Sequence, residues 1–291
     1  MAASMPRQSR FGSSASGTTV GVEYEVTAFT PRLNEDIFSA AGMRGTRGEQ
    51  SERVVQNTRE PGFSVTLQPN SVELDTILPW ILGAAESTDT FALAETLPTF
   101  SWIVDMGGTA RWYWTTCTVN TATFSAQQGG PLELTMDVEA LAFSTDATAF
   151  GATTVSLVPP YMFYESTSAL VVNSQTLAHF NWSLTVNNML VTNRFTNSQT
   201  RTALPSMGRQ VTWTLDGPYG DNTALFGLGA TGVACTATFT KGARSLLFSS
   251  SAVSFPREFP QYAEEIHLPI TGLARRLTTT QELVTTNDST G

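Results

Sequence analysis

The stretch GFSVTL at residues 62–67 recurs 146 residues later as GRQVTW at residues 208–213. A Leu-Gly pair follows both copies at the same distance, at residues 82–83 and at residues 228–229. Similarity at a fixed spacing indicates that one structural unit occurs twice in a chain. The sequence therefore predicts two related modules within one polypeptide.

Alternation of apolar and polar residues dominates both copies and is typical of half-buried strands. First strands are predicted at residues 20–26 and 180–186. Further strands are predicted where Thr, Val, Phe and Trp are frequent, at residues 100–104, 110–119, 132–141, 211–215, 234–239, 244–253 and 264–271. In the closing strands, Leu134 and Met136 of the first copy fall on Ile266 and Leu268 of the second.

One helix is predicted at residues 70–83, with a shorter counterpart at residues 221–229. Asn70 and Glu73 have the spacing of a capping box, Gly83 ends the helix, and Pro79 is expected to kink or shorten it. The predicted fold class is mainly β, with two tandem β-sandwich or barrel modules that each carry one short helix.

Breaks in composition predict the domain boundaries. A flexible N-terminal arm is expected at residues 1–17, a first module at residues 18–152, a second module at residues 160–276, and a polar C-terminal tail outside the core at residues 277–291. After each first strand comes a long polar stretch, at residues 30–61 and at residues 187–207. Because it recurs, we predict an interface loop or hairpin.

Composition excludes several classes of protein. The chain has 41% hydrophobic residues, which is typical of a globular protein, and no apolar run near the roughly 18 residues of a membrane span. The basic start is not followed by an apolar stretch, so we expect no secretory signal. The formal charge of -9 and the single lysine, Lys241, argue against binding nucleic acid by neutralising phosphates.

Candidate reactive motifs do not predict an enzyme. The G-x-G-x-x-G at residues 227–232 has a helix before it and a strand after it, the reverse of a dinucleotide site. His179 and His267 have no companions at metal-ligand spacing, and Cys117 and Cys235 lie in strands as expected of buried thiols. We therefore predict no catalytic, cofactor-binding or metal site.

Acidic and aromatic residues on the strands have two interpretations each. Paired acids at residues 137 and 139, and at 264 and 265, occur in glycosidases but are more typical of a solvated strand face. Tryptophans on strands can stack on bases or sugars, yet core packing is favoured for Trp102, Trp112, Trp114 and Trp213.

Two further stretches carry a family resemblance. FNWSLTVNNML at residues 180–190 resembles the strand and Asn-Asn turn of tail tube proteins of long-tailed, siphovirus-like bacteriophages, and PSMGRQVTWTL at residues 205–215 resembles the strand after their Gly-Arg turn. The helix that ends at residues 82–83 is similar to the helix of that family. The resemblance covers residues 20–275 by order of elements, in a two-module form. Pro79 and Trp213 depart from the family pattern.

The resemblance implies a structural virion protein. Its subunits would form rings that stack into a tail tube, and genomic DNA would pass through without specific binding. A trimer with six pseudo-equivalent modules is expected, and a hexamer is the alternative. Tape-measure and other tail proteins are the implied partners, with assembly in the host cytoplasm and no cofactor. A main tube protein and a terminator or minor tail protein both remain open.

Charged residues of the polar stretches and strands are the candidate sites. Six arginines are candidates for contacts between subunits or rings: Arg44, Arg47, Arg53, Arg59, Arg194 and Arg201. Three acids are candidates for the lumen: Asp137, Glu139 and Glu264. The alternative function is a carbohydrate-binding or adhesion β module, which would require exposed aromatic residues beside acids; an enzyme is a more remote third.

Overall fold

Antiparallel β strands form most of the structure, which is a computed structural model. It describes residues 9–15, 19–39, 54–107, 111–146, 163–220, 232–262, 266–277 and 280–290. The prediction of a mainly β fold is confirmed.

The described part of the first half of the chain contains nine strands and one helix. The strands are β1 (Arg10–Ser14), β2 (Val22–Tyr24), β3 (Val26–Ser39), β4 (Val54–Leu67), β5 (Thr90–Ala92), β6 (Phe100–Asp105), β7 (Arg111–Gln127), β8 (Leu132–Glu139) and β9 (Ala142–Asp146); helix α1 (Ser71–Leu82) lies between β4 and β5. Neighbouring strands follow the order β3-β4-β8-β7-β6-β1-β2, and β9 also pairs with β7.

The described part of the second half contains ten strands and a one-turn 3-10 helix (Glu165–Thr167). The strands are β10 (Ser168–Val172), β11 (Gln175–Leu177), β12 (Asn181–Asn187), β13 (Gln210–Asp216), β14 (Val233–Lys241), β15 (Arg244–Ser254), β16 (Gln261–Tyr262), β17 (Ile266–His267), β18 (Ile270–Ala274) and β19 (Val284–Asp288). Their order is β12-β13-β18-β15-β14-β10-β11, and β19 also pairs with β15.

The two halves have the same pairing order. Each of the seven pairings of the first half, from β3–β4 to β7–β9, has a counterpart in the second, from β12–β13 to β15–β19. In this order the counterpart of β12 is β3, which begins at Val26, rather than the predicted strand at residues 20–26. Within the polar stretch at residues 30–61, the described residues 30–39 and 54–61 lie on β3 and β4.

The halves are joined into one body. β12 pairs with the second part of β7, from Asn181 opposite Gln127 to Asn187 opposite Thr121, and β19 pairs with β5. One apolar cluster includes residues of both halves, and the rings of Phe124 and Phe248 lie 4.7 Å apart across it. The described residues of the two halves therefore share a core.

Helix α1 begins and ends as its sequence predicts. The Asn70 side chain accepts hydrogen bonds from the amides of Val72 and Glu73, and the Glu73 carboxylate accepts one from the Asn70 amide at 3.0 Å. Gly83 ends the helix at φ +101°. Pro79 lies inside one continuous helix, which its buried apolar face anchors in the core. The predicted second helix lies outside the described residues.

Both ends of the chain contribute strands, where the sequence predicted an arm and a polar tail. β1 pairs with β2 and β6, and β19 lies between β15 and β5. Leu283, Thr285 and Asn287 are fully buried. The Asn287 side-chain amide donates to the Ser71 carbonyl at 2.7 Å. β19 looks like a tail in sequence because its inward residues, Thr285 and Asn287, are polar. Asn287 obtains its partners from α1, where it also donates to Asp75 at 2.6 Å.

Candidate assembly surfaces

A charged cluster of Arg32, Asp137, Glu139 and Arg201 joins the β3–β4 hairpin to the loop at residues 187–207. Arg32 donates to Asp137 at 3.1 Å and also to Glu139. Arg201 donates to the other oxygen of Glu139 and to the Pro61 carbonyl at 3.3 Å. Arg32 of the first half and Arg201 of the second half therefore both bind the carboxylate of Glu139.

The centre of the charged cluster is buried. Arg201 is 4% exposed and Glu139 is 6% exposed. Burial raises the pKa of Glu139, while the guanidinium groups of Arg201 and Arg32 act in the opposite direction. A buried charge requires partners, so the cluster fixes the loop on the hairpin. Glu139 thus lies inside an ion cluster and not on the predicted solvated strand face, because the loop covers this end of β8.

Arg32 reaches the acids across a glycine, the first residue of the repeated stretch. Arg32 on β3 is opposite Gly62 on β4, and Gly62 is opposite Glu139 on β8. A Cβ atom on Gly62 would lie 2.7 Å from Nη2 of Arg32. Arg32 was not among the residues predicted from the sequence. The available signal was Gly62 at the start of the repeated stretch, since a glycine in a strand often marks a close approach.

Two other candidate arginines lie beside the charged cluster. Arg59 pairs with Glu35 at 2.5 Å, and its amide donates to the Gln199 carbonyl at 2.8 Å. Arg194 is exposed, and its carbonyl accepts from the Thr202 amide at 3.0 Å. The remaining candidates lie outside the described residues: Arg44, Arg47, Arg53 and Glu264.

The two turns that carry the family resemblance meet in the structure. Asn188 is fully buried, and its side-chain nitrogen donates to the carbonyls of Ile81 at 3.2 Å and Val119 at 3.0 Å. Its side-chain oxygen accepts from Nε of Arg209 at 2.9 Å, and Arg209 also donates to the Ala94 carbonyl at 2.7 Å. The Asn-Asn turn and the Gly-Arg turn thus form one polar link between α1, β7 and the second half.

His179 lies in an arrangement that superficially resembles a catalytic triad. Its Nε2 is 3.1 Å from Oγ of Ser168 and 3.5 Å from Oε1 of Glu165. In a triad the serine and the acid contact opposite ring nitrogens, whereas here both face the same nitrogen. Ser168 also donates its proton to the Glu165 carbonyl at 2.7 Å. The arrangement is suited to holding the chain at the start of β10.

The described part of the chain contains no candidate site for metal binding or for thiol chemistry. No group of three or more His, Cys, Asp or Glu residues there could hold a metal ion. Cys117 and Cys235 are free and buried, and burial raises the pKa of both thiols. His267 lies 3.6 Å from Asp216, and its ring packs on Phe180.

The tryptophans belong to the core. Trp102, Trp114 and Trp213 are fully buried, and Trp112 is half-buried against Trp114 at a ring distance of 6.2 Å. These residues cannot offer the exposed stacking surface that a carbohydrate-binding module requires. The prediction of core packing is confirmed.

Exposed apolar side chains that the sequence did not predict lie on the edge strand β3 and in the segment between β15 and β16. On β3, Leu33 is 38% and Ile37 is 62% exposed, and β3 pairs with only one strand of the described residues, β4. Between β15 and β16, Phe259 is 82% exposed. Large apolar side chains at a sheet edge are typical of a surface that another chain covers.

Comparison with known proteins identifies the family. Within the described residues, no helix has the length and apolar character needed to cross a membrane. A search of curated proteins found no match to the chain. The family model described as phage tail tube protein matches residues 7–280, which is nearly the whole chain. The resemblance predicted from the two turn motifs is thus confirmed: the chain belongs to the phage tail tube protein family and is a structural protein of the virion tail.

Proposed function

We propose that copies of this chain join head to tail into rings, and that the rings stack into the tube through which phage DNA leaves the virion. The matching order of the seven strand pairings in the two halves carries this proposal. Two units of one topology, side by side and joined along a strand, have the relation that neighbouring subunits have in a ring.

The ring is a trimer of two-module chains. The modules predicted at residues 18–152 and 160–276, extended by β1 and β19, arise from an internal duplication and occupy six pseudo-equivalent places. One rotation relates the first module to the second within a chain, and the same rotation relates the second module to the first of the next chain. A hexamer of chains would need twelve places and a smaller rotation.

DNA passes through the tube without being held. Binding of phosphates requires clustered cations. In this chain Arg10, Arg32, Arg59, Arg111 and Arg201 each pair with a carboxylate, and the formal charge is -9. Paired arginines and an acidic balance support a lumen along which DNA slides.

The candidate side chains divide between contacts and lumen. Asp137 is partly exposed and stays assigned to the lumen. Glu139 is buried and is no longer assigned to the lumen. The exposed Arg194 stays assigned to contacts between subunits or rings. Burial of Arg201 favours a role in orienting β3 and β4 rather than in a contact between rings. Tape-measure and other tail proteins complete the assembly.

Native mass spectrometry and negative-stain electron microscopy of the purified chain test the proposal. A trimer has a mass of about 94 kDa, three times the 31.4 kDa of the chain, and a hexamer about 188 kDa. We expect the trimer mass, together with stacked rings at high concentration. A chain that stays at 31.4 kDa and forms no rings at any concentration contradicts the proposed function.

A further inference from the structure

We propose that one sheet of eight strands forms the wall of the lumen, and that its exposed face is the surface which DNA passes. This sheet, called the spanning sheet, has the order β3-β4-β8-β7-β12-β13-β18-β15 and includes strands of both halves. The inference rests on the proposed ring function and adds the surface that faces the DNA and the width of the opening.

A row of threonines crosses the spanning sheet. Hydroxyl oxygens are 3.0 Å apart between its first two members and 3.1 Å apart between its third and fourth. Pairs of this kind stabilise adjacent strands. The row continues without a break where the two halves of the chain meet. Five successive strands, from β4 to β13, contribute directly opposite residues to it: Thr66, Thr135, Thr123, Thr185 and Thr212.

The spanning sheet has one core face and one exposed face. Successive side chains of a strand point to opposite faces. The sequence neighbours of the five threonines on the core face are all fully buried: Val65, Met136, Ala122, Val186 and Val211. The threonines therefore lie on the face away from the core, where Thr135 is exposed and the other four are half-buried.

The exposed face of the spanning sheet is not a phosphate-binding surface. Among its described strand residues the only cation is Arg32, which is bound to Asp137 and Glu139 of the same face. Glu133 and Asp216 add negative charge, and most of the other residues are Thr, Ser, Asn or Gln. Because DNA is held by clustered cations, phosphates can slide past this face.

A second layer lies on the core side of the spanning sheet. Trp182 of β12 packs on Phe239 of β14 at a ring distance of 5.5 Å, and Phe63 of β4 packs on Trp102 of β6 at 5.4 Å. β14 and β6 belong to two different sheets, β11-β10-β14-β15-β19-β5 and β2-β1-β6-β7-β9. Within the described residues no strand pairing joins one of these sheets directly to the other, apart from their shared continuation into the spanning sheet.

Helix α1 lies between the two sheets of the second layer. Its Trp80 stacks on Phe100 of β6 at a ring distance of 4.1 Å, and its Ser71 carbonyl accepts from Asn287 of β19 at 2.7 Å. The second layer is thus divided, whereas the spanning sheet is unbroken. In a two-layer wall around an axis, the layer farther out has the longer circumference and needs more elements to cover it. The divided layer therefore lies outside, and the exposed face of the spanning sheet points to the axis.

The number of strands gives the width of the lumen. Three copies of the eight-stranded sheet place three times eight, or 24, strands around the axis. With strands about 4.8 Å apart, a tilt of up to about 45° and side chains that extend about 5 Å inward, the opening is about 27–42 Å wide. Six copies would give an opening of more than about 60 Å. The narrower opening is the one that guides a single DNA duplex.

Cysteine labelling of assembled tubes tests which face is inside. Thr135 and Thr271 are exposed residues of the spanning sheet, one from each half. Thr240 on β14 is exposed on the opposite surface, since its neighbour Phe239 points into the core. The natural cysteines are buried, so the introduced thiols are the ones that react. Thr135→Cys, Thr271→Cys and Thr240→Cys are each treated with a small maleimide and with a maleimide linked to a globular protein too wide for the lumen.

Both reagents should label all three variants as free subunits. In tubes, Thr135→Cys and Thr271→Cys should still react with the small maleimide but should lose labelling by the protein-linked maleimide, except at the tube ends. Thr240→Cys should keep both reactions.

A lysine variant adds a second readout. Tubes of Thr135→Lys should protect short duplex DNA from nuclease at low salt and release it at high salt, because the added cations face the lumen. Wild-type tubes and Thr240→Lys tubes should protect none. Labelling needs only cysteine substitutions and stays decisive if the lysine variant does not assemble.

The outcomes separate the inference from the proposed function. A wild type that forms no tubes overturns both. If tubes form and the protein-linked maleimide labels Thr135→Cys and Thr271→Cys as in free subunits, the spanning sheet faces outward and the tube function stands. Loss of both reactions at these two positions, protection of Thr240→Cys alone, or equal protection of DNA by the two lysine variants also overturns the assigned face.

Discussion

Replacing Arg201 by methionine tests whether the charged cluster holds the two halves together. The variant keeps the length of the side chain but removes the guanidinium that binds Glu139 and the Pro61 carbonyl. Breaking a buried ion pair costs about 3–5 kcal/mol, and we expect about 3 because Arg32 still pairs with Glu139. At about 2 °C per kcal/mol for a chain of this size, Tm should fall by about 6 °C at pH 7.

The pH dependence of this loss identifies its cause. Burial raises the pKa of Glu139 in the folded chain, and removal of Arg201 raises it further. A carboxyl group whose pKa is higher in the folded than in the unfolded chain lowers the stability as the pH rises above the unfolded pKa of about 4.3. The loss of stability in Arg201→Met should therefore be smaller at pH 5 than at pH 7. Tm is measured by circular dichroism at both pH values.

Two further variants make the result decisive. Arg194→Met removes an exposed arginine of the same loop and should change stability by less than about 0.5 kcal/mol. The loss in Arg201→Met/Glu139→Gln should fall short of the sum of the single losses by more than about 1 kcal/mol, since the double variant leaves no buried carboxylate. Equal losses for Arg201→Met and Arg194→Met, or additive losses in the double variant, refute the reasoning.

Three other predictions concern the helix cap, the repeated stretch and the C-terminal strand. Burial raises the pKa of Glu73 to about 7, so its contribution to stability is complete below about 4.3 and is lost as the pH rises through 7. Glu73→Gln should therefore be the more stable protein at pH 8, by up to about 3 kcal/mol in urea unfolding; a constant difference from pH 5 to pH 8 contradicts this. Gly62→Ala places a Cβ atom 2.8 Å from the Val138 carbonyl and should cost about 1–3 kcal/mol, whereas Gly220→Ala, which meets no atom within 4 Å, should be near neutral. Equal thermal shifts for the two alanine variants would disprove the close approach. Deletion of residues 281–291 removes β19 and should abolish folding as seen by circular dichroism, while removal of the last three residues should not.

Local patterns in the sequence predicted the local structure well. The spacing of Asn70 and Glu73 identified the start of α1 because a capping box forms between residues three positions apart. Alternation located most strands but not their register. Val65 of the first half corresponds to Val211 of the second. Met136 lies opposite Val65 and Ala274 lies opposite Val211, so Met136 corresponds to Ala274, whereas the sequence aligned it with Leu268. A shift of six residues keeps every side chain on its face, so alternation cannot detect it.

The candidate site was less predictable because its residues come from distant segments. Arg32, Asp137, Glu139 and Arg201 lie on β3, β8 and a loop of the second half, and no spacing along the chain relates them. Only Gly62 leaves a local trace of their contact. The exposure of Phe259 depends likewise on where β15 and β16 lie in the fold.

The rotational symmetry of an assembled tube, seen in cross-section by cryo-electron microscopy, tests the central claim most directly. If each chain supplies two similar units to one ring, the cross-section should have a sixfold outline at low resolution and threefold symmetry once the units are distinguished. Six chains around the axis, or units of the two halves that do not alternate, would contradict the account.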